Sequence, residues 1–191
     1  MRRHRFPAVV IACLIAGISL LSVCRPVRAA TKRDHLTEME VEQVREAQIL
    51  DKRIEVFIKA AERRLLVLTD PSAAASKQVQ KDMEKWGELP KGTRAELISD
   101  LALILDEAIT NIDDVATRDA ENHLLPKALR LLAAASTRFI AQLMPMRTQA
   151  KSETEREEVE RALENAQSIV DAANKLPPEV KDKGKAEKKK S

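Results

Sequence analysis

Three times along this chain a Thr or Ser stands three residues before a Glu, at the head of a run whose apolar residues recur at every third and fourth position. The three are Thr37-Glu38-Met39-Glu40, Thr93-Arg94-Ala95-Glu96 and Ser152-Glu153-Thr154-Glu155. In such a capping box the hydroxyl accepts from the amide three residues on, and the carboxylate accepts from the amide of the cap residue. The device serves only a helix start. The apolar rhythm that follows gathers side chains on one helical face, whereas a strand needs strict alternation. Composition agrees: with four Gly, no Tyr and 2 % aromatic residues, a chain rich in Ala, Leu, Glu, Lys and Arg favours helices over strands. The fold class is all-α.

The first box predicts a helix from Thr37 to about Thr69, with Leu36 and Val41 placed as a hydrophobic staple. Its apolar face reads Val41, Val44, Ala47, Leu50, Ile54, Phe57, Ala61, Leu65 and Leu68. Asp70-Pro71 stops it and is suited to open the next helix as N-cap and first residue. That short second helix carries Ala75, Val79, Met83 and Trp86 and ends at Gly87, a natural left-handed terminator. A third helix bears Leu97, Leu101, Ile104, Ala108, Ile112 and Val115. After a polar connection at 118–123, a fourth carries Leu125, Leu129, Leu132, Ser136, Phe139 and Leu143 until Pro145 ends or sharply kinks it. The fifth has an Ala-rich stripe, Val159, Ala162, Ala166, Ile169, Ala173 and Leu176, which suits close helix approach.

Short connections make successive helices antiparallel neighbours. The expected architecture is an antiparallel up-and-down bundle of four principal helices plus a short accessory helix. At 1.5 Å per residue a first helix of this length reaches roughly 50 Å, so its N-terminal part should project or bend.

Ahead of these helices, Met1-Arg2-Arg3-His4-Arg5 is basic, Ala8 to Val23 is an uncharged run of 16 residues, and Val27-Arg28-Ala29 suits a signal-peptidase site. The run is shorter than the about 20 residues of a spanning helix. The segment 1–29 reads as a signal peptide, with an uncleaved anchor as the alternative. Leu21-Ser22-Val23-Cys24 resembles the lipobox of bacterial lipoproteins, although Val23 stands where that family has a small residue. The resemblance implies a lipoprotein anchored through Cys24 as a further alternative.

Cleavage after Ala29 removes five Arg and both cysteines, leaving 28 Lys and Arg against 30 Asp and Glu, a net charge of −2. The mature chain then has neither a disulfide nor a thiolate. Its expected parts are a helical domain over 30–176 and a disordered lysine-rich tail over 177–191, opened by Pro177-Pro178.

Candidate chemistry is sparse. There is no G-x-S-x-G, P-loop or Gly-rich dinucleotide turn, and the sequence nominates no catalytic, cofactor-binding or metal-binding residue. His35 and His123, the histidines left after cleavage, form no Glu-x-x-His pair. A haem ligated by His123 with Met39, Met83, Met144 or Met146 is weighed against a solvated His123 at a helix entry. Among the acids Asp106, Glu107, Asp113, Asp114, Asp119 and Glu121 there is no calcium-loop spacing. Glu107, Asn111, Asp114, Arg118 and Glu121 instead follow one helix face, which reads as solvated, with a weak cation site or a basic partner as the alternative. The tail lacks interleaved aromatics and so argues against nucleic acid; if it binds, it seeks anionic surface.

The expectation is therefore an exported, non-catalytic helical binding or scaffold protein of the bacterial cell envelope, periplasmic or secreted. It would act on an unknown protein partner or by self-association through helix faces, with Arg63, Arg64, Phe57 and Trp86 as contact residues. Membrane contact would follow only from a lipidated Cys24, an uncleaved signal or the lysine tail. The alternative is a small-ligand, haem or metal carrier with a pocket between helices.

Overall fold

The computed structural model describes residues 33–72 and 76–178. The signal segment 1–29 with Cys24, the helix-two residue Ala75, and the tail from 179 onward lie outside them. Among the described residues there are six helices and no strand, all within one compact unit that begins at Asp34. They are α1 (Glu38–Glu46), α2 (Leu50–Thr69), α3 (Lys77–Trp86), α4 (Arg94–Arg118), α5 (Leu125–Thr148) and α6 (Glu153–Asn174). No helix among the described residues is long and apolar enough to cross a membrane.

Ion pairs and hydrogen bonds between elements give the bundle's directions. Lys127 reaches Asp51, and Arg138 reaches Glu62 at 2.8 Å, both 76 positions apart, so α2 and α5 run parallel. Arg94 to Glu155, Arg161 to the Ser99 hydroxyl and Asn165 to the Ala102 carbonyl keep a near-constant offset, so α4 and α6 are parallel as well. Arg130 meets the Pro177 carbonyl just beyond α6, and Arg147 meets Glu160 near its start, which makes α5 and α6 antiparallel. Around the bundle the order is α2, α4, α6, α5.

This order corrects one expectation: α4 and α5 are successive in sequence yet lie diagonally opposite, with α6 and α2 between them. Residues 119–124 join them, and six residues at about 3.3 Å each span the roughly 13 Å diagonal of a bundle with 8–10 Å sides. Asn122 shapes the turn, its side-chain oxygen accepting from the Leu124 amide at 3.0 Å. Pro126 then sits in the first turn of α5, where a missing amide costs nothing.

Phe57, Phe139, Ile54, Leu65, Ile98, Leu101, Ile104, Leu105, Leu132, Leu143 and Ile169 are fully buried. Ala60, Ala61, Ala102, Ala108, Ala128, Ala135, Ala162 and Ala166 are likewise sealed between them. Small residues at the seams let the helix backbones approach, and the large ones fill the centre at interior packing density.

Other departures from the sequence reading are local. The expected first helix breaks at Ala47, whose ψ of 81° leaves the helical region, and restarts at Leu50. The break folds α1 back along α2, so it bends rather than projects. Asp70-Pro71 opens only a short 3₁₀ turn; α3 begins at Lys77 under Ser76, whose hydroxyl accepts from the Val79 amide at 3.2 Å. Gly87 ends α3 with the positive φ expected of it, +68°, but its ψ of −171° is extended rather than that of a left-handed helical cap. Pro145 does not end α5, which continues to Thr148; in the last turn the proline disturbs few hydrogen bonds.

Candidate functional site

The boxes at Thr37 and Thr93 form reciprocally, with Glu40 and Glu96 each returning to its cap amide, at 2.9 and 2.7 Å. The third does not. Ser152 accepts from the Glu155 amide, but the Glu155 carboxylate takes the Lys151 amide and the Arg94 guanidinium at 2.5 Å instead. A side chain that the sequence assigns to a helix end thus ties α6 to α4.

Glu40 makes the larger departure. Its carboxylate is fully buried and serves two purposes. One oxygen closes the cap of α1; the other stands 2.6 Å from Arg64 Nη1 and 3.1 Å from Arg63 Nε. Arg64 also donates to the Ala60 carbonyl at 3.0 Å and to the His35 carbonyl at 2.6 Å. Arg63 donates to the Gly87 carbonyl at 3.1 Å and to that of Glu88. One carboxylate and two guanidiniums therefore join four pieces of chain: the segment before α1, α1 itself, α2 and the turn after α3. Burial pushes the Arg63 guanidinium below its ordinary pKa, and the Glu40 charge opposes that shift.

Gly87 completes this corner. Its positive φ favours glycine, and a Cβ there would stand 2.9 Å from Met39 Cγ, so α1 passes directly over the turn. Next to it, His35 Nε2 lies 2.7 Å from Glu107 Oε2 on α4, and Arg53 bridges the Ala47 carbonyl at 2.9 Å and Asn111 at 3.2 Å.

These contacts revise the residues singled out from sequence. Phe57, Arg63 and Arg64 are buried within the chain rather than displayed on an outer helix face. Trp86 is half-buried, with the Lys85 ammonium 5.7 Å from its ring. Glu107 and Asn111, expected on a solvated face, are half-buried and bonded to His35 and Arg53, while Asp114, Arg118 and Glu121 on that face are exposed. His123 is exposed just before α5, whereas Met144 and Met146 lie at its far end, about 30 Å away by helix rise. Met39 packs over Gly87, at the end of the bundle opposite His123. No group of three potential metal ligands occurs among the described residues.

Several clefts mark the surface of the described residues. Ile109, Ile112, Leu129, Ile169 and Ala172 line an apolar one of about 110 Å³ where α4, α5 and α6 meet. Val67, Pro71, Met83, Leu89 and Pro90 line another of about 290 Å³ between the end of α2 and α3. These two fall below the roughly 300–1,000 Å³ of small-molecule pockets, while a more open groove of about 560 Å³ runs beside Asp34, Leu36, Glu38, Met39, Val41 and Glu42.

The buried corner was legible only in part. Capping explains a Glu at position 40, but nothing in the local sequence says that the same carboxylate will meet arginines 23 and 24 positions on. The adjacent pair Arg63-Arg64, directly before the apolar run Leu65-Leu66-Val67-Leu68, is the signal that could have found it, since two buried cations demand an anion. The chain matches no protein-family model, no curated protein and no solved structure.

Proposed function

We propose that this chain is an exported, non-catalytic helical binding or scaffold protein of the cell envelope, made as a signal peptide followed by four principal helices, α2, α4, α5 and α6, with α1 and α3 as accessories. It acts through the outer faces of its helices or by self-association. The observation that carries this reading is how the buried charges are used. Glu40, Arg63 and Arg64 join α1 to α2 and the α3 turn, Glu155 joins α6 to α4, and Asp51 joins α2 to α5. Each holds one element to another. Groups committed in this way give stability and orientation, as in a rigid surface presented to a macromolecule.

Intact mass and native mass of the protein recovered from its host after fractionation test the reading together. The expected result is a species of residues 30–191, without adduct, in the envelope or secreted fraction and in complex with protein. Retention of 1–29, or a diacylglycerol on Cys24, would replace the soluble assignment with an anchored one. A stoichiometric haem, metal or small ligand would overturn the scaffold in favour of a carrier.

A further inference from the structure

The link between α1 and α2 sets local preference against tertiary pairing. Ala47, Gln48 and Ile49 include no glycine or proline, and the apolar series Val41, Val44, Ala47, Leu50, Ile54 keeps its three-and-four spacing straight across them. Everything local asks for one helix. The chain nevertheless leaves the helix at Ala47, with φ −76° and ψ 81°, and crosses Ile49 in extended geometry, φ −90° and ψ 132°. Ile49 is left 56 % exposed at the bend.

What the bend secures is the clasp. In an unbroken helix from 38 to 69, Glu40 would stand about 36 Å from Arg64, so one copy cannot satisfy both the helix and the ion pairs. Two copies can. In the bent form α1 runs antiparallel along α2, with Glu40 beside Arg63 and Arg64 and Ala47 beside Arg53. Repeating those pairings between two straight helices puts the centre of the contact at about residues 50 to 52, so each copy offers the other the same surface. A two-fold axis requires that self-complementarity, and exchange of an identical element is a low-cost route to a dimer.

We propose that the chain forms an α1-swapped dimer, in which the Ala47–Ile49 link straightens and the Glu40 of each copy seats against Arg63 and Arg64 of the second copy. The proposal rests on the self-association reading above and names its partner. Every clasp contact is conserved across the exchange, and the helical hydrogen bonds missing at the bend are regained.

Ile49→Pro separates the two forms. Residue 49 is exposed, with a φ close to proline's range, so the bent chain accepts the change; inside a straight helix the ring loses a hydrogen bond and clashes with the preceding turn. Native mass and light scattering are read for the chain as isolated and for Ile49→Pro, over rising concentration and after refolding at the highest soluble concentration. The expected result is a concentration-dependent dimer whose association constant falls by about ten-thousand-fold in Ile49→Pro, about a hundred-fold for each of the two straightened links, with the monomer's helical circular dichroism retained. An equal dimer in both proteins overturns the swap and leaves self-association through outer faces. A chain monomeric under every condition overturns the swap and self-association together, leaving the scaffold reading to its heterologous partners.

Should Ile49→Pro fail to fold, mixing Glu40→Gln chains with Arg63→Ala/Arg64→Ala chains decides. Only a swapped heterodimer restores one intact clasp, so co-refolding should yield more dimer than either variant alone. No gain overturns the proposal.

Discussion

Two regions of this molecule are held by different forces. The centre, where α2, α4, α5 and α6 meet, is built from Phe57, Phe139, Leu101, Leu132 and Leu143 with alanines at the seams. The corner, where α1 and the α3 turn lie on α2, is built from Glu40, Arg63, Arg64 and His35. Burial of apolar area is non-directional and tolerates repacking. A buried ion cluster is directional: it contributes only when every partner is present, and a lost partner leaves a stranded charge. The centre therefore supplies cohesion, and the corner fixes one arrangement of the chain.

The same kind of edit should act differently on the two. Phe139→Ala removes a fully buried ring from the centre and should cost about 3–5 kcal/mol. Denaturant titration should show one cooperative transition shifted to lower denaturant; an unchanged midpoint would mean that the centre is not the stabilising region. Glu40→Ala should cost about 3 kcal/mol, the lower end of the range for breaking a buried pair, because α1 can undock and hydrate the two arginines. Its signature is local: hydrogen exchange should accelerate over 38–46 before it does over α5 or α6, and uniform acceleration would erase the distinction between the regions.

Removing a polar group from the centre should have the opposite sign. Ser136 is fully buried and its hydroxyl has no hydrogen-bond partner, so Ser136→Ala should stabilise by about 1 kcal/mol, raising Tm by about 2–4 °C for a chain of this size. A drop in Tm would mean that the hydroxyl is satisfied in solution.

The smallest effect concerns the ion pairs outside the corner. The Lys127 ammonium holds the Asp51 carboxyl below its usual pKa, and Lys59 does the same for Asp82. A depressed folded-state pKa contributes stability above the unfolded value of about 3.9 and loses it as pH falls below that value. Tm should therefore be flat towards neutrality and fall in acid below about pH 4. In Asp51→Asn the acid limb should be shallower; an identical limb would assign the acid sensitivity to other carboxylates.

What the sequence determined by itself is what local chemistry can enforce. The helix starts at Thr37, Thr93 and Ser152 and the stop at Gly87 rest on hydrogen bonds and dihedral preferences spanning four or five residues. The apolar faces of α4, α5 and α6 follow from the helical period alone. Tertiary structure decided the rest: the break at Ala47–Ile49, the diagonal placing of α4 and α5, the diversion of Glu155 from its cap to Arg94, and the burial of Arg63 and Arg64. Each depends on a partner tens of residues away. Three residues without a helix breaker leave the helix, and what the bend brings together is the Glu40 carboxylate and the Arg63 and Arg64 guanidiniums, pairs that local helix preference cannot specify.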